Sequence, residues 1–223
     1  MRIISIKKGF ASDHSSTSYE FLAVDKALGK EEKAEVASLS RRTDPTSRRV
    51  SFVYHVDGYD IPGGWECLMG KYYDVMYRED YDWWTLALAF NTTQEQIQEL
   101  RKYEFCGDDD LGVTAESHGK RIILSIHCRI DRAYMHDSYD DEYEEDEEEN
   151  DEEGTAFYAE DELLNLLVQV RQQIVNGDYR TLYTVWEKYG DCDSGDEDEF
   201  GIPIPQDKKV GKNIVEQFRN MLE

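Results

Sequence analysis

The sequence predicts an α+β protein, on three observations. Strand and helix signals are interleaved over residues 1–130. From about residue 158 onward the apolar spacing is helical throughout. Between these regions, residues 137–153 place thirteen acidic side chains in seventeen positions, with no Lys or Arg. Such a run cannot bury enough apolar surface to fold, so a disordered linker is expected there. The expected organisation is an α+β domain at 1–133, an acidic linker at 134–157 and a helical segment at 158–223 that packs on the first domain.

The elements follow in order. Residues 2–7 are a short strand candidate, followed by a turn-rich stretch at 9–18. Residues 19–24 (YEFLAV) read as a strand. Residues 30–39, rich in Glu, Lys and Ala, predict a mostly exposed helix. Pro45 keeps the next loop non-helical. Residues 50–56 (VSFVYHV) are β-branched and aromatic, hence a strand. Trp65, Leu68, Met69, Tyr72, Val75 and Met76 recur at three- and four-residue spacing, which predicts one helix over 65–77. Trp84, Leu86, Leu88 and Phe90 alternate with small residues in a largely buried strand. A capping box from Thr92 to Glu95 starts a helix reaching about Tyr103.

Residues 111–117 and 121–130 flank a His118-Gly119-Lys120 hairpin loop. In the second arm Ile122, Leu124, Ile126, Cys128 and Ile130 share one face. Arg121, Ser125, His127 and Arg129 fall mostly on the other, so that face is expected to be wet. Leu163, Leu167, Val170 and Ile174 mark a helix that stops at Asn176-Gly177. Asp178 is expected to cap the next helix, and the two form an αα-hairpin. A Pro-containing extended piece at 201–205 and a helix at about 210–222 follow.

Charge is concentrated rather than general. Residues 191–199 (DCDSGDEDE) add six acids to the first run. The two segments hold 19 of the 49 acidic residues, so the net charge of −24 falls to −5 for the remainder. Fifteen Tyr, eight Phe and four Trp are ample for a core. No apolar stretch approaches the roughly 20 residues needed to span a bilayer, and the N-terminal apolar stretch is too short for a signal peptide. The four cysteines form no C-x-x-C pair and read as free thiols. A cytoplasmic location is expected.

Several segments occur in a suggestive order: YEFLAVDKAL at 19–28, a long segment at 48–77, GDYRTLYTVWEKYG at 177–190 and GIPIPQDKKVGKNIVEQFRNML at 201–222. Together they resemble an uncharacterised bacterial protein family. Its members join a mixed N-terminal part to a Gly-Asp-x-Arg-x-Leu-Tyr-x-x-Trp hairpin and a Pro-rich C-terminal segment, and are often encoded near SWIM-type zinc-finger proteins. Related sequences carry an Arg-bearing segment where this chain has DWWTLALAF. The resemblance implies a bacterial, cytoplasmic, full-length single unit and supplies no activity.

Candidate sites are few. The acidic run (Asp140, Asp141, Glu142, Glu144, Glu145, Asp146, Glu147, Glu148, Glu149) is either a solubilising linker or a polyanion that attracts a basic groove on a partner. It lacks the spaced ligands and Gly of an EF-hand loop. Arg41, Arg42, Arg48 and Arg49 could hold phosphate or carboxylate, or pair with the chain's own acids. Asp13 and His14 stand in a hydroxyl-rich stretch, as weak acid–base candidates or as part of a turn. Cys106, His118, His127 and Cys128 have no zinc-finger spacing, and His127 and Cys128 point to opposite faces of one strand, so no metal is expected. With no Walker loop and no G-x-G-x-x-G, no cofactor is expected either. Trp65, Tyr72, Tyr73, Tyr77, Tyr81, Trp83 and Trp84 could stack bases, but their spacing favours core.

These observations favour a non-enzymatic interaction module that binds a basic protein partner, a nucleic-acid-binding protein being one such class, with no membrane association. The rival is a phosphate- or nucleic-acid-binding enzyme that combines the residue 41–49 loop with Asp13 and His14.

Overall fold

The computed structural model describes residues 17–55, 60–131, 161–190 and 201–223. The expected strand at 2–7, the Asp13 and His14 pair and both acidic segments lie outside them. The described chain is α+β. Seven strands form one antiparallel sheet: β1 (Thr17–Leu22), β2 (Arg49–Tyr54), β3 (Val75–Asp80), β4 (Trp83–Asn91), β5 (Phe105–Cys106), β6 (Gly112–His118) and β7 (Arg121–Cys128). Their order across the sheet is β2-β1-β3-β4-β7-β6-β5. The helices are α1 (Lys30–Ser38), α2 (Trp65–Lys71), α3 (Gln94–Arg101), α4 (Glu162–Val175), α5 (Arg180–Tyr189) and α6 (Lys212–Met221).

Alternation along the central strands feeds two cores. On one face Leu86, Leu88, Leu124 and Ile126 pack with Leu163, Leu167, Val170, Leu182 and Phe218 of the C-terminal helices. Each such residue, fully buried, contributes about 1.5–3 kcal/mol. The helices after the acidic run therefore share one core with strands from before it. On the opposite face Phe21, Phe52, Met76, Ala87, Ala89 and Ile123 pack with Val36 of α1 and with Leu68 and Met69 of α2.

Four expectations need correction. The predicted helix over 65–77 ends at Lys71, and its second half is strand β3. Val75, Met76 and Tyr77 are consecutively buried, because β3 lies between β1 and β4 with helices over both faces. Helical spacing over the first turns concealed this, since a strand packed on both sides has no alternation to display. The second face of β7 is not wet along its length: Ile123 and Ser125 are buried, and only its two ends, Arg121 and His127, are partly open. The capping box is shifted by one residue. Thr93 is the N-cap of α3, its hydroxyl accepting from Gln96 N, while Gln96 Oε1 accepts from Thr93 N. Asp178 lies one residue before the N-cap of α5; its carboxylate accepts from Arg180 N at 3.4 Å, at the first turn of the helix, and is gripped by the Arg180 guanidinium as well.

Candidate functional site: a polar sheet end and an acidic pole

The four candidate arginines are not brought together as one anion site. Arg41 and Arg42 are exposed on a turn. Arg48 Nη1 donates to the carbonyls of Ala23 and Val24, at 3.0 and 2.9 Å. Arg49 is buried: its Nε donates to Glu20 Oε2 at 3.0 Å and its Nη2 to Asp161 Oδ2 at 3.0 Å. Asp161 also caps α4 through Leu164 N and accepts from the Tyr77 hydroxyl. Burial, with the Asp161 and Glu20 charges, pushes that phenol well above its ordinary pKa. Arg49 thus locks the β2 edge to the start of α4.

A second network joins buried Asp74 and Arg171 with half-buried Arg121 and reaches the surface at Asp25. A cleft of about 160 Å³ opens beside it, with Lys26 and Lys71 in its walls. Both lysines are already paired, with Glu32 and Glu35.

The other end of the α1–α2 face differs in kind. Antiparallel register lines up Tyr19 with Arg78, Arg78 with Thr85, and Thr85 with His127. Directly opposed residues project to the same face, so this row crosses four strands side by side. The next row outward is Tyr54, Thr17, Asp80 and Trp83. Just past β7, Arg129 places its guanidinium 4.9 Å from the centre of the Trp83 ring. Its Nη2 meets Asp109 Oδ2 at 2.8 Å. Arg78 is held by Asp80 at 2.6 Å and lies over the Tyr19 ring. Thr85 Oγ1 is 3.4 Å from His127 Nδ1.

Three buried polar atoms here have no hydrogen-bond partner: Tyr54 OH, Arg78 Nε and Arg129 Nε. Trp83 and Tyr81 are 40% and 48% exposed, whereas Tyr73, Tyr77 and Trp84 of the same aromatic block are buried. The site was missed in the sequence because its members come from residues 17 to 129, and only strand register aligns them. The one local signal was the run of polar residues on the second face of β7.

His127 makes the sheet end pH-sensitive. Burial, then the Arg78 charge, pushes its pKa below the ordinary value of 6.5, against a smaller opposite effect of Asp110. The unfolded chain therefore binds a proton more readily as pH drops below about 6.5. The stability held in neutral His127 is complete above that pH and is lost as pH falls toward the lowered folded pKa. Urea midpoints are expected to decline between pH 7 and pH 5, and to decline less in His127→Gln. Equal declines in the two proteins would remove His127 from the account.

Next to this sheet end lies an acidic pole. The Tyr189 hydroxyl, near the end of α5, accepts from Arg129 N at 3.1 Å and lies 3.1 and 2.9 Å from the carbonyls of Arg129 and Glu223. Ile130 bridges Leu222, and Asp131 N donates to Met221 O. A Cβ on Gly107 would stand 2.1 Å from Tyr189 O, so the Asp108–Asp110 turn packs against the same spot. Asp131 precedes the first acidic segment and Gly190 the second. The approaches to both segments thus converge on a turn of three exposed aspartates.

Among the described residues no group of three His, Cys, Asp or Glu side chains could hold a metal ion. Burial pushes the Cys128 thiol well above its ordinary pKa. Among the described residues no helix is long and apolar enough to cross a membrane. Compared with known proteins, the chain matches no family model, no curated protein and no solved structure.

Proposed function

We propose that this chain is a non-enzymatic interaction module of a bacterial cytoplasm that binds a basic protein partner through its acidic pole. The observation that carries the reading is the convergence just described: Asp131 and Gly190, the last described residues before two segments that hold 19 acids, lie on the side of the molecule that carries the Asp108–Asp110 turn. Concentrated charge of one sign steers an oppositely charged partner and speeds its association at low salt. The internal use of Arg48 and Arg49 removes two cations that would have favoured a phosphate-binding surface. The free thiols Cys67, Cys106 and Cys128 fit a reducing compartment.

The test separates position from net charge. Association of a lysine-rich peptide is measured across salt concentrations for the parent chain and for two charge-matched triple variants. One is Asp108→Asn with Asp109→Asn and Asp110→Asn; the other is Glu31→Gln with Glu35→Gln and Glu95→Gln, on α1 and α3. The pole variant is expected to associate several-fold more slowly, and a chain lacking 137–153 more slowly still. Equal losses in the two triple variants would reduce the effect to total charge and end the proposal.

A further inference from the structure

We infer that the polar sheet end beside the acidic pole is a docking face for an arginine-bearing, extended segment of the partner; this rests on the interaction reading above. The chain already displays the contact. Arg129 lies over the Trp83 ring with its Nη2 on Asp109, so one surface arginine occupies an aromatic ring and a carboxylate together. Its hold is incomplete. Asp109 and Arg129 are both substantially exposed, and Arg129 Nε is left without a partner. Exposed ion pairs contribute little net stability, so an incoming guanidinium can displace this one.

The remaining features match a peptide rather than a lone cation. The outer row runs across four strands from Tyr54 to Trp83, a length that suits an extended segment rather than a single side chain. Carboxylates recur along this sheet end, Asp80 on Arg78, Asp109 on Arg129 and Asp110 in the same exposed turn as Asp109, which opposes phosphate and favours basic side chains. Tyr81, exposed in the two-residue β3–β4 turn, adds a second aromatic surface near Trp83. Guanidinium stacks on indole better than ammonium does, so the face should distinguish arginine from lysine where charge alone would not.

The experiment compares an arginine peptide with a lysine peptide of equal length and charge, titrated into the full chain by calorimetry. The arginine peptide is expected to bind about five-fold tighter. Trp83→Ala should erase that preference by weakening arginine-peptide binding more than lysine-peptide binding, with Trp83→Phe retaining part of it. Arg129→Gln should tighten arginine-peptide binding by removing the internal competitor, a gain that no folding defect would mimic. A preference that survives Trp83→Ala, or an Arg129→Gln variant that binds no tighter, would overturn the docking face while leaving the acidic-pole reading intact. Failure of both peptides to bind would remove both.

Discussion

Asp74→Ala is expected to destabilise the protein by about 3–5 kcal/mol, the cost of leaving buried charges without their partner. Asp74 is 3% exposed. Its Oδ2 accepts from Val24 N at 2.7 Å and Asp25 N at 2.9 Å. Its Oδ1 binds Arg121 Nη2 and lies 3.6 Å from Arg171 Nη2. Arg121 comes from β7 and Arg171 from α4, and both also donate to the Ala89 carbonyl of β4. One carboxylate therefore ties a loop, two central strands and a C-terminal helix together. Alanine would leave two guanidiniums and two backbone N–H groups short of an acceptor. Asp74→Asn keeps one acceptor oxygen and should lose less. Chemical denaturation reads both, and an Asp74→Ala protein within about 1 kcal/mol of the parent would show that the network is dispensable.

Arg180→Ala should cost about 3 kcal/mol or more, for a related reason with a local signature. Arg180 Nε and Nη2 form a fork on Asp178 at 2.9 and 2.7 Å. Nη2 also donates to Val210 O at 2.6 Å, and Nη1 to Lys208 O. Burial alone would raise the Asp178 carboxyl, yet the hydrogen bonds and charge of Arg180 hold it below the ordinary carboxylate range. Removing the arginine strands that carboxylate and frees the extended segment before α6. Amide exchange over 201–211 should accelerate more than exchange in β4 or β7, because the loss begins as local opening. Uniform acceleration along the chain would contradict the anchoring role. Lysine should not restore it, since an ammonium cannot supply the planar fork.

Local signals made most of the fold legible. The alternation of Ile122, Leu124 and Ile126, the helical spacing of Leu163 to Ile174 and the Asn176-Gly177 stop all sit where the structure has β7, α4 and its C-cap, with Gly177 at φ 72°. What could not be read depended on distant partners. β3 looked helical because nothing local reveals a neighbour on each side. Arg49 was grouped with Arg41 by proximity in sequence, although its carboxylates are Glu20 and Asp161. The Gly-Asp-x-Arg stretch, specific as a pattern, has a structural role here: Gly177 ends one helix, and Asp178 with Arg180 grips a later segment. The polar sheet end needed the register of four strands at once. Of the exposed aromatics in the block first read as core, only Tyr81 and Trp83 stay out of it.

The stitch between residues 129–131 and 221–223 constrains how the chain acquires its structure during synthesis. Phe218, Met221 and Leu222 complete the core on one face of the sheet, and Ile130 finds its β-bridge partner at Leu222. Until those residues have left the ribosome, the apolar side of β4 and β7 lacks part of its cover. Final closure then joins segments more than ninety positions apart, a separation that slows folding. The nascent chain therefore passes through a stage with its sheet translated and one apolar face partly uncovered, when a chaperone has most to shield.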